Sequence, residues 1–490
     1  MSKQAELIMN LKRSRGTINP MIYGHFTEHI GGVFYDGLWV GKDSEIPNVN
    51  GFRKDIVEKF RAINPPVLRW PGGCYAETYH WRDGIGENRP VRPNWWKKHD
   101  GRDEPNHVGT HEFIEFCELV GAKPYFAVNV TSITPMEARD WMDYCLSPQG
   151  STTLALEREK NGHPEPFDIP YWGVGNENWG GGGNMTADYY ALEYRRFATV
   201  MKNLCWDKSD LIAGGANGAD YSWTKDLVSN LAGSHAPVDG MSFHYYCGKS
   251  GDCVDYDEND WYILLGKAEK MEELIRRHYA FTVGHGMQDK MKLVIDEWGC
   301  WHPDGSGPSK GYNLFEQQST MRDAVITALT LNIFNNNCQA IKMANVAQLC
   351  NNLHCLFLAG GENCIVTPTY PVFDMFKAHQ GATCLRTLMT DNDDLKEKVS
   401  VSASVRDDVM TITMANCSCT EDIDVLPELL GLNRTVKSAS MTVLAADDMH
   451  AHNTFEAPDA VVPVTCAADL TKPVTVPKAG VVTLTITLGE

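Results

Sequence analysis

Two segments of this chain place a carboxylate beside an aromatic side chain, directly after a short apolar run. Glu177 lies in Gly-Asn-Glu-Asn-Trp after a run centred near Val174, and Glu297 lies in Asp-Glu-Trp-Gly after a run centred near Ile295. Two carboxylates that face each other across a sugar can cleave a glycosidic bond, because one protonates the leaving oxygen while the other attacks the anomeric carbon or activates water. The pair is the main functional signal and predicts glycosidic chemistry.

The spacing of the pair indicates how the two residues could meet. They are 297 − 177 = 120 residues apart, which is about three strand-helix units and predicts non-adjacent strands on opposed sides of a closed ring. A carboxyl separation of roughly 5 Å would mean retention of configuration through a covalent intermediate, and roughly 6.5 to 9.5 Å would mean inversion. The sequence leaves these two outcomes open.

Further polar groups follow the other predicted strands. Arg69 could pair with a catalytic carboxylate and hold it ionised, although a salt bridge inside the fold explains it equally well. Trp179, Trp298 and Trp301 could offer apolar faces to a sugar, or could belong to the core. The remaining strand ends supply mostly neutral donors and acceptors, as polyhydroxyl recognition requires: Glu28, His29, Cys74, Asn129, Asn176, His244, Tyr245, Tyr246, Asn345 and Gln348.

These residues need elements that bring strand ends together. Eight β-prone runs, most followed by a segment of helical period, predict a parallel sheet closed into a (β/α)₈ TIM barrel. Helices are clearest over Thr110 to Val120 and Thr186 to Met201, and no GxGxxG follows the first run. The runs are centred near Tyr23, Leu68, Ala127, Val174, Ala213, Phe243, Ile295 and Met343.

The pattern changes after a last helix near Pro371 to His379. From about Leu385 the chain alternates apolar and polar residues in short runs between polar turns, which predicts an antiparallel, jelly-roll-like β-sandwich. We therefore expect a catalytic barrel over 18–384 and a β-sandwich domain over 385–490. We expect the N-terminal segment 1–17 to join the second domain, because Ala5 to Leu11 could pair with the edge of the sandwich.

Composition excludes several classes of partner. Of 490 residues, 44 are Lys or Arg and 63 are Asp or Glu, a net charge of −19 that repels nucleic acid and anionic membranes.

The N-terminus lacks an apolar signal region, which predicts a cytoplasmic protein. Fifteen cysteines without CxxC units predict reduced thiols. The cluster Cys350, His354, Cys355 and Cys364 matches no zinc spacing, so we predict no metal and no cofactor.

The motifs taken together resemble the family-51 glycoside hydrolases, whose typical activity is α-L-arabinofuranosidase. The resemblance covers nearly the whole chain. It implies a retaining mechanism with Glu177 as acid/base and Glu297 as nucleophile, a barrel plus β-sandwich, no catalytic metal, frequent hexamers and exo-action on arabinose-containing substrates. The matching motifs are IYGHFTEHIGG at Ile22, RWPGGCY at Arg69, YHWRDGIG at Tyr79, YWGVGNENWGGGGNM at Tyr171, FHYY at Phe243, IDEWG at Ile295 and ANVAQL at Ala344.

The resemblance also implies which residues surround the terminal sugar. Some members carry Asn where this chain has Cys74, and a thiol is a weaker hydrogen-bond partner. Three alternatives stand beside the arabinofuranosidase: a β-glucan-cleaving hydrolase on the same scaffold, a carbohydrate-binding protein without turnover, and a metal-dependent site built on His25, His29 and His244. The residues implied to line the sugar subsite are Glu28, Arg69, Cys74, Asn176, His244, Tyr246 and Gln348.

Overall fold

The computed structural model describes residues 3–390, 394–431 and 434–489. In chain order its strands are β1 Lys3–Thr17, β2 Gly24–Phe26, β3 Asn48–Val49, β4 Phe52–Arg53, β5 Val67–Trp70, β6 Arg92–Pro93, β7 Asp103–Glu104, β8 Lys123–Val128, β9 Tyr171–Val174, β10 Asp210–Asn217, β11 Gly240–Gly248, β12 Leu293–Trp301, β13 Ile341–Ala347, β14 Phe357–Gly360, β15 Asn363–Val366, β16 Thr383–Met389, β17 Val399–Arg406, β18 Val409–Asn416, β19 Ile423–Leu430, β20 Val436–Leu444, β21 Val464–Ala467, β22 Val474–Val476 and β23 Val481–Leu488. The α-helices are α1 Lys54–Ala62, α2 Lys97–Asp100, α3 Thr110–Val120, α4 Pro135–Leu146, α5 Thr153–Lys160, α6 Ala187–Cys205, α7 Tyr221–Ala232, α8 Glu258–Gly284, α9 Met321–Asn336 and α10 Thr369–Phe376.

Eight parallel strands close into a barrel in the order β2-β5-β8-β9-β10-β11-β12-β13. This confirms the predicted (β/α)₈ fold class. The first barrel strand is Gly24–Phe26 and lies beyond the predicted centre near Tyr23, because the preceding Pro20–Tyr23 forms a 3₁₀ helix. The Asn19 side chain caps that helix by accepting a hydrogen bond from the Met21 N–H, and Pro20 suits its first position.

The helices around the barrel begin and end at ordinary capping signals. Helix α3 covers the predicted range: the Glu112 carboxylate accepts from the Gly109 N–H at its start, and Gly121 ends it at φ +79°. Helix α6 starts after Thr186 and continues four residues beyond the predicted end at Met201. Among the described residues, no helix is both long and apolar enough to cross a bilayer.

The C-terminal strands form one nine-stranded sheet with the N-terminal strand, in the order β21-β20-β23-β18-β17-β16-β1-β19-β22. Strand β1 lies inside this sheet, antiparallel to β16 and parallel to β19, whereas the sequence placed it at an edge. Its alternating Leu7 and Met9 are fully buried in the apolar core of the sheet, which explains the interior position. Strand β22 contacts β18, so the sheet curls over that core.

Candidate active site

The two sequence-predicted carboxylates meet at the carboxyl ends of the barrel strands. Glu297 lies within β12 and is 6% exposed, while Glu177 lies in the turn after β9 at φ +43°. A carboxylate oxygen of Glu177 lies within 4.8 Å of one from Glu297. That distance matches the close carboxyl pair of retaining glycosidases and is shorter than inverting enzymes need to admit water.

His244 lies between the two carboxylates. It sits on β11 in register with Glu297, and its Nδ1 is 2.9 Å from Glu177 Oε1 and 3.5 Å from Glu297 Oε2. Burial alone would lower the pKa of His244, but the charge of Glu297 and the bond to Glu177 outweigh burial and raise it. The raised pKa favours the protonated form of the imidazole, which lies between the two carboxylates.

Arg69 distinguishes the two carboxylates electrostatically. From β5 its Nη1 donates to Glu297 Oε1 at 2.8 Å, and its Nη2 donates to Asn176 Oδ1 at 2.6 Å. The Tyr246 hydroxyl donates to Glu297 Oε2 at 2.8 Å. Burial would raise the pKa of Glu297, but His244, Arg69 and Tyr246 outweigh it and lower that pKa. Glu297 is thus held as an ionised carboxylate, the form that a nucleophile requires.

Glu28 and Gln348 are hydrogen-bonded neighbours in the same site. The Glu28 carboxylate accepts from the Tyr75 N–H at 2.9 Å, from Trp96 Nε1 at 3.1 Å and from Gln348 Nε2 at 3.2 Å. Burial, assisted by the nearby charge of Glu297, raises the pKa of Glu28 to about 7. Near neutral pH, Glu28 can therefore either donate or accept a hydrogen bond to a ligand hydroxyl.

Cys74 lies beside the other catalytic candidate. Its Sγ is 3.8 Å from Glu177 Oε2. Burial and the surrounding carboxylates raise the pKa of the thiol, so it stays protonated. A neutral thiol is a weak donor, and its contact with Glu177 is correspondingly weak.

These side chains surround a small cavity of about 50 Å³. Asn176 Nδ2 and Gln348 Oε1 are buried at this site and have no hydrogen-bond partner within the described part of the chain. Buried polar groups normally find partners, so both atoms fit the hydroxyl groups of a bound sugar. The cavity is lined by Glu28, Ile30, Gly73, Cys74, Trp96, Glu177, Tyr246, Glu297, Trp301, Phe315, Gln348, Asn352 and Leu353.

The three candidate tryptophans separate in the structure. Trp301 is 39% exposed at the rim of the cavity, where its ring packs edge-on against Tyr246 and Phe315. Trp179 is partly buried, and Trp298 is fully buried against Phe334. Trp301 is therefore placed to contact a ligand, whereas Trp298 belongs to the core.

The histidines of the metal-dependent alternative do not converge. His25 packs against Phe60, and burial lowers its pKa to about 3. The His29 ring lies 3.0 Å from Glu104 and accepts from Trp70 Nε1 at 2.9 Å. Only His244 of the three lines the carboxylate pair in the described structure.

Two other groups bring together atoms that could bind a metal ion, namely Glu177 with His244 and Glu297, and Cys300 with His302 and Asp323. In the first group, His244 Nδ1 lies 2.9 Å from Glu177 and 3.5 Å from Glu297, so the imidazole already lies between the two carboxylates. In the second, the Arg322 guanidinium lies 3.5 Å from His302 and opposes a further cation. Hydrogen-bonded networks explain both groups.

Sequence reasoning missed several residues of this site, among them Trp96, Phe315 and Glu77. Trp96 lies in the long connection between β5 and α3, and Phe315 lies in the loop between β12 and α9, where no periodic signal marks a position. Glu77 lies in the 3₁₀ helix Cys74–Thr78 behind the cavity, and its carboxylate accepts from the Asn176 N–H at 2.6 Å. The signal that could have identified Glu77 is its position as a single acidic residue among apolar residues.

Comparison with known proteins gives one consistent result. Family models described as "Alpha-L-arabinofuranosidase 1 domain" and "Alpha-L-arabinofuranosidase C-terminal domain" match residues 59–261 and 296–479. The chain is 37% identical over 478 residues to the "Intracellular exo-alpha-L-arabinofuranosidase" of Bacteroides ovatus, covering 94% of this chain and 90% of that protein.

Solved structures agree. The GH51 arabinofuranosidase from Xanthomonas axonopodis pv. citri superposes with a TM-score of 0.92 at 34% identity, over 99% of this chain and 100% of that one. The α-L-arabinofuranosidase from Thermotoga maritima, solved as an arabinose complex, superposes with a TM-score of 0.82 at 28% identity, with the same coverage.

Proposed function

Because the chain belongs to the α-L-arabinofuranosidases of glycoside hydrolase family 51, we propose that the cavity binds one terminal, non-reducing α-L-arabinofuranosyl residue. The enzyme then releases that residue by double displacement, with Glu297 as nucleophile and Glu177 as acid/base. The observation that carries the proposal is the close carboxylate pair in which one member, Glu297, forms an ion pair with Arg69.

In the first step the Glu297 carboxylate attacks the anomeric carbon as the bond to the leaving oxygen breaks. Glu177 gives its proton to that oxygen, which leaves as an alcohol, and the sugar becomes an ester of Glu297. Arg69 and Tyr246 orient the attacking carboxylate through its two oxygens. In the second step Glu177 takes a proton from water, the water oxygen attacks the same carbon, and Glu297 is released.

The surrounding polar atoms support recognition of a single sugar. Asn176 Nδ2 and Gln348 Oε1 are free to bond ring hydroxyls, and Glu28 lies beside Gln348. Cys74 and His244 border the acid/base, while Tyr246 and Trp301 form an aromatic corner at the rim. We propose that these eight residues are the substrate contacts: Glu28, Arg69, Cys74, Asn176, His244, Tyr246, Trp301 and Gln348.

The role assignment is tested with Glu177→Ala and Glu297→Ala. Both variants should lose turnover of an alkyl α-L-arabinofuranoside. Azide should restore turnover of a nitrophenyl arabinofuranoside in both variants, with products of opposite configuration. In Glu177→Ala azide attacks the ester of Glu297 and gives an arabinosyl azide of retained configuration, whereas in Glu297→Ala azide displaces nitrophenolate directly and gives the inverted azide. An inverted azide from Glu177→Ala and a retained azide from Glu297→Ala would reverse the two roles. Release of product from a soluble β-glucan, with none from the arabinofuranoside, would overturn the substrate assignment.

We also propose that the enzyme acts on arabinose-containing oligosaccharides inside the cell and assembles as a homohexamer. The name of the Bacteroides ovatus relative supports the location, and the family resemblance supports the assembly. Light scattering should give a mass six times that of one chain. A product profile from branched arabinan, arabinoxylan and linear arabino-oligosaccharides would identify the preferred linkage.

A further inference from the structure

Glu77 is a fully buried carboxylate whose hydrogen-bond donors are neutral: amide groups and the Thr131 hydroxyl. Oε1 accepts from the Asn176 N–H at 2.6 Å and from Asn178 Nδ2 at 3.3 Å. Oε2 accepts from the N–H groups of Val130 at 2.8 Å and Thr131 at 3.0 Å. Burial raises the pKa of Glu77 to about 7 and these donors oppose that shift, so the donors are what favour the ionised acceptor.

These bonds join three loops at the mouth of the barrel. Glu77 belongs to the loop after β5, Val130 and Thr131 to the turn after β8, and Asn176 to the turn after β9. A second link between the first two loops is the Ser132 hydroxyl, which donates to the Glu77 carbonyl at 3.0 Å. The carboxylate is therefore a shared acceptor that fixes the spacing of adjacent strand ends.

The turn held by Glu77 is the one that carries the acid/base. Gly175 and Glu177 both have left-handed backbone angles, at φ +89° and φ +43°. For a glutamate this conformation is unfavourable and persists only where surrounding contacts over-determine it. The bond from the Asn176 N–H to Glu77 restrains the residue between these two positions.

We propose that Glu77 is a positioning residue for Glu177: its carboxylate holds the 175–178 turn so that Glu177 can reach the leaving oxygen. The inference rests on the proposed acid/base role of Glu177. Glu77 lies behind the turn and outside the lining of the cavity, so it acts through Asn176 and Asn178 and not by touching the sugar.

Glu77→Gln tests the proposal at almost constant volume. One end of the amide is a donor, so either the pair Asn176 and Asn178 or the pair Val130 and Thr131 faces an NH₂ group in place of an acceptor. We expect kcat/KM for an alkyl arabinofuranoside, whose leaving group needs a proton, to fall about tenfold or more. The leaving group of a dinitrophenyl arabinofuranoside departs without a proton. For this substrate kcat/KM should stay within about threefold of wild type.

Glu316→Gln is the matched control. Glu316 is also buried, and it accepts from the Ser309 N–H at 2.6 Å and from Asn313 Nδ2 at 2.9 Å, in a loop after β12. This variant should lose stability while the ratio of kcat/KM for the two substrates stays at the wild-type value. A structural role for Glu77 would give the same result, because unfolding lowers activity on both substrates equally.

Glu177→Ala, measured in parallel, separates the two proposals. The ratio compared is kcat/KM for the alkyl arabinofuranoside divided by kcat/KM for the dinitrophenyl arabinofuranoside. If this ratio does not fall in Glu177→Ala, the acid/base role is wrong. If its ratio falls and Glu77→Gln loses activity equally on both substrates, or loses none, the positioning role is wrong. Should Glu77→Gln not fold, Asn178→Ala removes the amide between Glu77 and Gly182 and should show the same selective loss in milder form.

Discussion

Replacing Arg69 with methionine tests whether the charge of this arginine keeps the nucleophile ionised. Arg69 and Glu297 form an ion pair at 2.8 Å with side chains only 1% and 8% exposed. Methionine keeps an unbranched apolar side chain but removes the guanidinium. Removing one partner of a buried ion pair costs about 3–5 kcal/mol, because the other charge stays buried without compensation. We therefore expect the free energy of unfolding at pH 8 to fall by about this amount.

The loss should depend on pH in a definite direction. In wild type the pKa of Glu297 is lowered, since His244 and Arg69 outweigh burial. Without Arg69, burial should raise that pKa above the unfolded value of about 4.3. Between the two values only the folded variant binds the proton, so its stability falls as pH rises by about 1.4 kcal/mol per unit. The destabilisation should be smallest near pH 5 and largest near pH 8.

Urea unfolding at several pH values measures this effect, and Arg53→Met is the matched control. Arg53 is equally buried, but its guanidinium donates to the backbone carbonyls of Gly37 at 2.9 Å, Asp36 at 3.2 Å and Gly361 at 2.6 Å. The destabilisation caused by Arg53→Met should therefore not depend on the ionisation of a catalytic carboxylate, and it should be the same at pH 5 and pH 8. If Arg69→Met is destabilised by the same amount at pH 5 and pH 8, the charge argument is refuted.

Two further changes probe the same cavity. Burial places the pKa of Glu28 at about 7, above its unfolded value, so the stability that Glu28 contributes at acid pH is lost as pH rises towards 7. Glu28→Gln should remove roughly 3 kcal/mol of this decline in urea unfolding, and an unchanged slope would contradict the assignment. In Gly73→Ala the added methyl would lie 2.9 Å from Glu297 Oε1, so kcat/KM for a nitrophenyl arabinofuranoside should fall about tenfold or more. Full activity in that variant would show that the nucleophile has room to move.

Part of the site could be predicted because its signals are local. The apolar run before Glu177 and the run before Glu297 each identify a strand end without knowledge of the rest of the chain. Closure of eight such strands then requires the two ends to share one face of the barrel. Arg69 and His244 were found by the same rule, since each lies on a barrel strand at that face.

Other features depended on loop paths that local patterns do not encode. Trp96 reaches Glu28 from a loop 26 residues beyond β5, counted as 96 − 70. Trp301 lies at the rim and Trp298 in the core although they are only three positions apart, because successive side chains of β12 face different surroundings.

The sequence by itself determined which residue types stand at the barrel mouth, because strand periodicity and strand-end chemistry act over a few neighbouring residues. Only the tertiary structure decided that the two carboxylates approach within 4.8 Å and that Arg69 pairs with Glu297. It also decided that Glu77 accepts a hydrogen bond from the Asn176 N–H in the turn that carries Glu177. Distances and charge pairing between residues about 100 or more positions apart follow from how strands and loops pack in three dimensions, and a change of a few ångströms would alter the chemistry without altering the sequence pattern.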